Sequence, residues 1–190
     1  MESALWTAST DGTLEMVKKI LADHPDVDVN WVEGDRLDTP LHRACRCGNT
    51  EIARELLAHP RVDVTKMNNR GCSPFFIACQ EGSADIVRMC LADARVDVNW
   101  PHMEGHQPFM MACQEGRYDV VALLMKEPRV DPARVDEDGA TPFSLACWGG
   151  HLDIVSLLMG DPRIDVTRPT EKATTLTVGR LTCSSCTRWR

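Results

Sequence analysis

The sequence predicts an all-α solenoid, a row of short antiparallel helix pairs leaning on one another, followed by an irregular C-terminal tail. Three observations predict it. Side chains recur every 34 residues, each copy carries a helix start and a glycine stop at fixed places, and the apolar residues between them follow helical spacing. Pro40, Pro74, Pro108 and Pro142 keep the step of 34, as do Ala44, Ala78, Ala112 and Ala146, and Gly48, Gly82, Gly116 and Gly150. So do the acids Glu51, Asp85, Asp119 and Asp153, and the aspartates Asp63, Asp97, Asp131 and Asp165.

An earlier copy lies 36 residues ahead, with Ala8, Gly12 and Glu15 standing where Ala44, Gly48 and Glu51 stand later. The copies therefore fall near residues 3–30, 38–65, 72–99, 106–133 and 140–167, with a basic tail at 168–190 that is expected to be disordered.

Each later copy opens on TPLHRAC, SPFFIAC, QPFMMAC or TPFSLAC. A hydroxyl N-cap followed by proline at the first helical position is a strong helix start. Gln107 is a poor cap, so the fourth copy is expected to start less firmly. The glycine stops this inner helix, and an outer helix follows: NTEIARELLA, SADIVRMCLA, RYDVVALLMK or HLDIVSLLMG. Its early acid complements the positive end of the helix dipole. A polar stretch, usually acid-Pro-Arg, ends the outer helix, and a VDV-like segment leads into turn residues. One such pair cannot bury its own apolar face, whereas stacked pairs can.

Composition narrows the function. The net charge of −7 argues against a nucleic-acid binder, because phosphate contact rewards clustered Lys and Arg. Only the stretch from Arg168 onward is basic, with five basic residues and one acidic. No apolar run approaches the roughly 20 residues of a membrane-spanning helix, so no membrane role is expected. The start MESALWTASTDG lacks the basic and apolar regions of a secretory signal, and nine cysteines is an odd number. A reducing cytoplasmic or nuclear setting is the expectation.

These residues resemble the ankyrin repeat, with TPLHRA, Gly48, Glu51-Ile52 and Leu56-Leu57 in the second copy and DEDGATPFSLACWGGHLDIVSLLM in the fifth. The likeness spans about 165 residues, with one residue more per unit than the common 33. It implies an ankyrin-repeat solenoid with projecting β-hairpin turns, a binding scaffold without catalysis of its own. The departures are informative. The family's histidine survives only as His42, replaced by Phe76, Met110 and Ser144, and is expected to tie its own turn to a neighbouring one. Leu37 stands where the turn glycine belongs, so an irregular 31–38 loop is expected.

His42, Cys45 and Cys47 look at first like a metal or thiol site. Cys45 recurs, however, as Cys79, Cys113 and Cys147, always after the small alanine. That marks a packing position, where free cysteine serves as a small hydrophobe. No phosphate loop, paired acids or Ser-His-Asp arrangement is left unexplained by the repeat, so no cofactor, metal or enzyme activity is expected. The tail pair Cys183 and Cys186 supplies two ligands, whereas a closed zinc site needs four.

The resemblance places a partner on the turn tips and the ends of the inner helices, where the columns stop repeating. The tips are Asp35, Arg36 and Asp38; Asn69, Arg70 and Cys72; Met103, Glu104 and His106; Glu137, Asp138 and Ala140. The helix ends contribute Arg46, Gln80, Glu81, Gln114, Glu115 and Trp148. Trp148 is of the type enriched at interface hot spots. The carboxylates Glu81, Glu104, Glu115, Glu137 and Asp138 favour a basic partner segment. The expected function is a monomeric scaffold or adaptor that binds another protein. Two alternatives stand beside it: a zinc- or redox-responsive switch at Cys183 and Cys186, and the recognition arm of a larger enzyme or signalling protein.

Overall fold

The computed structural model describes residues 1–103 and 105–167. The tail 168–190, with Cys183 and Cys186, and Glu104 lie outside the described residues. The described chain forms ten helices in five pairs: α1 (Glu2–Asp11) with α2 (Leu14–Asp23), α3 (Pro40–Cys47) with α4 (Thr50–Ala58), α5 (Pro74–Glu81) with α6 (Ala84–Ala92), α7 (Pro108–Gln114) with α8 (Tyr118–Leu124), and α9 (Pro142–Gly149) with α10 (Leu152–Met159). Inner helices pack in the order α1, α3, α5, α7, α9, and outer helices in the order α2, α4, α6, α8, α10. None of them is long and apolar enough to cross a membrane.

Each repeating column has a physical reason. Thr39, Ser73 and Thr141 cap their helices by accepting the N–H of the residue three positions on, while the Gln107 side chain makes no such bond. The Gln107 amide instead donates to the Asn99 carbonyl at 3.0 Å. Ala44, Ala78, Ala112 and Ala146 are wholly buried, letting the inner helices approach closely. Behind the glycine, the backbone N–H of Asn49, Ser83, Arg117 and His151 bonds back to the carbonyl of that same alanine at 2.9–3.0 Å. This closure requires a left-handed residue between them, hence glycine. The aspartates Asp63, Asp97, Asp131 and Asp165 each accept the N–H two residues on, at 2.9–3.0 Å, fixing the turn after the outer helix.

Links between copies satisfy the carbonyls left over at helix ends. The side chains of Asn49, Ser83, Arg117 and His151 reach back to Ser9, Cys45, Gln80 and Gln114 carbonyls of the preceding inner helix, at 2.8–3.3 Å. Arg95, Arg129 and Arg163 do the same for the outer row, donating to Leu57, Leu91 and Met125 carbonyls at 2.7–3.1 Å. Each guanidinium is steadied by its own acid, Asp93, Glu127 or Asp161, which lies below the usual carboxylate range because of that hydrogen bond.

The projecting turns differ from the expected β-hairpins. No strand forms among the described residues. The first turn has one isolated bridge, Glu33 to Asp38, and the others close on two backbone bonds each, such as Asn68 N–H to the Cys72 carbonyl and Gly71 N–H to the Asn68 carbonyl, both at 3.0 Å. They are too short for a ladder, but neighbouring turns join through Asn69 N–H to Arg36 carbonyl and Met103 N–H to Arg70 carbonyl, at 3.0 and 3.3 Å. The 31–38 turn is a residue wider, yet Leu37 takes φ 54° where Gly71, Gly105 and Gly139 take 70°, 82° and 72°. His42 ties turns together as expected. Its Nε2–H donates to the Cys72 carbonyl at 2.9 Å, and Nδ1 accepts from the Thr39 N–H at 3.2 Å. Burial pushes its pKa below the ordinary 6.5, since a charged ring would lose water there.

Two outcomes are expected. Leu37→Gly relieves a left-handed residue bearing a Cβ and should raise the unfolding free energy by about 1 kcal/mol in urea melts. For His42, the unfolded ring takes its proton near pH 6.5 while the folded ring resists it. Its contribution to stability is therefore complete above pH 6.5 and is lost as pH falls from there through the lower folded value. Urea melts between pH 7.5 and pH 5.5 should show wild type losing stability relative to His42→Gln, with a slope of up to about 1.4 kcal/mol per pH unit.

Candidate partner-binding groove

The turn tips and the C-terminal ends of α3, α5, α7 and α9 enclose two clefts. The first, of about 780 Å³, is lined by Arg36, Arg46, Asn69, Arg70, Gln80, Glu81 and Glu115, with Met103 and Gln114 at its far edge. The second, of about 730 Å³, shares Met103 and Gln114 and adds His106, Glu137, Asp138 and Trp148. Every described residue in the expected partner set therefore borders one of these two adjoining clefts. Met103 is 72% exposed and Trp148 42%, and both tips and floor thus offer large apolar surface to a ligand.

Several of these residues are already committed within the stack, among them Arg46, Glu81, His106, and Asn69, whose amide donates to the Asp35 carbonyl. Arg46 is not a free cation: its guanidinium lies 3.3 Å from Asp38 and 3.2 Å from Glu81, and its side chain is only 16% exposed. The Nε2 of His106 donates to Asp136 at 2.9 Å, and its ring stacks on His102, which in turn stacks on Phe76. The enclosed Nδ1 of His106 has no hydrogen-bond partner. His106 and Arg46 therefore shape the groove wall.

Three residues read as tips point inward. Asp38, Cys72 and Ala140 are 1%, 4% and 2% exposed, because the last residue of each turn stands just before the N-cap and faces the stack. Asp38 is the most engaged, accepting from Asn68 Nδ2 at 2.8 Å and from Arg46, while its carbonyl accepts from Trp6 Nε1 at 2.7 Å. The Asp38–Asn68 link and the His106–Asp136 link occupy equivalent places in two copies, each joining the end of one turn to the start of the next. Sequence reading missed this, since the paired residue types differ between copies.

The thiols divide by face. Cys45, Cys79 and Cys113 are wholly buried, as is Cys90, whereas Cys47 is exposed. Cys147 is half-buried, on the last inner helix described. Burial raises the Cys45 and Cys79 thiols well above their ordinary range and pushes Cys90 up to about 12. Among the described residues, no three His, Cys, Asp or Glu side chains converge as a metal site.

A family model for ankyrin repeats in three copies matches residues 2–68, 60–136 and 89–170. Over 64 residues the chain is 31% identical to ankyrin repeat and LEM domain-containing protein 2 of Mus musculus, and equally to that of Rattus norvegicus. Those matches cover 34% of this chain and 7% of either relative.

The buried thiols give a direct check. Iodoacetamide on the native chain, read by peptide mass spectrometry, should label Cys47 and spare Cys45, Cys79, Cys90 and Cys113 until urea opens the stack.

Proposed function

The chain belongs to the ankyrin-repeat family, and from that premise we propose that the groove of turn tips and inner-helix ends recognises another protein. Ankyrin repeats are, in general, non-catalytic modules of protein–protein interaction. The reading is carried by one observation: the tip and helix-end positions that border the two adjoining clefts change residue type along the period of 34, as Arg46, Gln80, Gln114 and Trp148 do. Packing dictates the repeating columns, whereas these side chains are left for a ligand to select.

Trp148 anchors the proposal. Its ring lines the second cleft beside Leu145, Met103 and Glu137, so a partner side chain entering there meets an apolar floor and a polar rim. Burying an exposed tryptophan in such a setting is the usual source of an interface hot spot. The same groove serves a free-standing adaptor and the recognition arm of a longer chain alike.

The test compares wild type with Trp148→Ala in titrations against a protein that wild type captures. Affinity should fall by more than about 1 kcal/mol, roughly fivefold, with the urea midpoint unchanged. Equal affinity would remove Trp148, and with it the second cleft, from the binding surface.

A further inference from the structure

The clefts share a boundary but not a charge. Three arginines line the first, and Arg46 there is neutralised by Asp38 and Glu81. Arg36 and Arg70 remain, both exposed at their tips and neither in an ion pair among the described residues. Among the described residues, the second cleft has no lysine or arginine in its lining and carries Asp136, Glu137 and Asp138. Asp136 is held by His106, while Glu137 and Asp138 are exposed at the fourth tip. Between the two stands Met103, the most exposed apolar side chain of the groove. The bonds from Arg36 to Asn69 and from Arg70 to Met103 hold these tips in sequence order. Among the described residues that line the clefts, the tips therefore contribute Arg36, Arg70, Met103 and then Glu137 with Asp138, while Asp35, exposed beside Arg36, stands outside the lining.

Resting on the reading of the groove as the partner surface, we infer that it selects a charge-ordered segment of its protein partner. Acidic residues lie over Arg36 and Arg70, an apolar residue sits against Met103, and a lysine or arginine enters the cleft between Glu137 and Trp148. Opposite charges at the two ends fix the direction in which the segment lies, because the reversed placement sets like charges face to face. The indole of Trp148 adds an aromatic face to the carboxylates, and a cation is attracted to both. Helices packed side by side are spaced by about 8–10 Å, so the first and fourth tips stand on the order of 25–30 Å apart. An extended segment of about eight or nine residues covers that span. This narrows the expectation of a uniformly basic partner, since the acidic surface of the groove is weighted to one end. Against that weighting stand Glu115, an exposed carboxylate bordering the first cleft, Asp35 on the first tip, and Glu81, which Arg46 holds.

Panning a random peptide display library of about twelve residues on the full chain tests the inference, twelve being enough to span the tips. The same library is panned on Arg36→Glu/Arg70→Glu and on Glu137→Lys/Asp138→Lys. Wild type should enrich peptides with acidic residues toward one end and basic residues toward the other. Each double variant should invert the preference at one end and leave the other intact. A synthetic peptide of the wild-type consensus should bind either variant at least tenfold more weakly at low salt, and less so at high salt. A uniformly basic pool, or variants that change both ends alike, would overturn the charge order while leaving the groove as the binding surface. Peptides that bind wild type, both double variants and Trp148→Ala equally well would instead overturn the groove itself.

Discussion

A short helix pair cannot complete itself, and the whole molecule follows from that constraint. Each pair ends with unpaired carbonyls and an apolar face, and the next pair supplies what is missing. At the helix ends the supply runs backward, while Trp6 and Asn99 donate forward to the Asp38 and Arg129 carbonyls. Asn49, Ser83, Arg117 and His151 reach back to the preceding inner helix, and Arg95, Arg129 and Arg163 to the preceding outer one. Buried alanines and thiols between the inner helices let the donors come within reach. Stability is then a chain of nearest-neighbour couplings, and the regular period is their trace in the sequence.

The same coupling sets the limits of the groove. A side chain that reaches the neighbouring copy is lost to a ligand, as with Asp38, and with Arg46 held between Asp38 and Glu81. What is left over is local and uneven: the tips Arg36, Arg70, Met103 and Glu137, and the indole of Trp148. The proposed recognition thus falls on positions that folding does not use. The buried thiols illustrate the converse, since Cys45, Cys79 and Cys113 are chemically capable residues turned into filling by the absence of water.

Much of this was legible in one dimension. The helix pairs, their glycine stops, the burial of Cys45, Cys79 and Cys113 and the His42 link all follow from spacing or family likeness, and the structure agrees, whereas Cys147 of the same column is half-buried. Leu37 was half legible. Its presence at a glycine position suggested an irregular turn, and the turn is indeed wider, but the neighbouring turns still hold Leu37 in the left-handed region. The hairpin turns project between the helix pairs without forming a strand among the described residues, because each is short enough to close on two backbone bonds.

The sequence by itself determined the repeat, its helices and which faces are buried, because those depend on local spacing and on side-chain size. Tertiary structure alone decided which polar residues are spent and which stay available. Asp38 meets Asn68, Arg46 meets Glu81 and His106 meets Asp136 across gaps of 30 to 35 residues, and the residue types change from copy to copy. A hydrogen bond needs its donor and acceptor at the right distance and angle, and only the stacking of one pair on the next sets those.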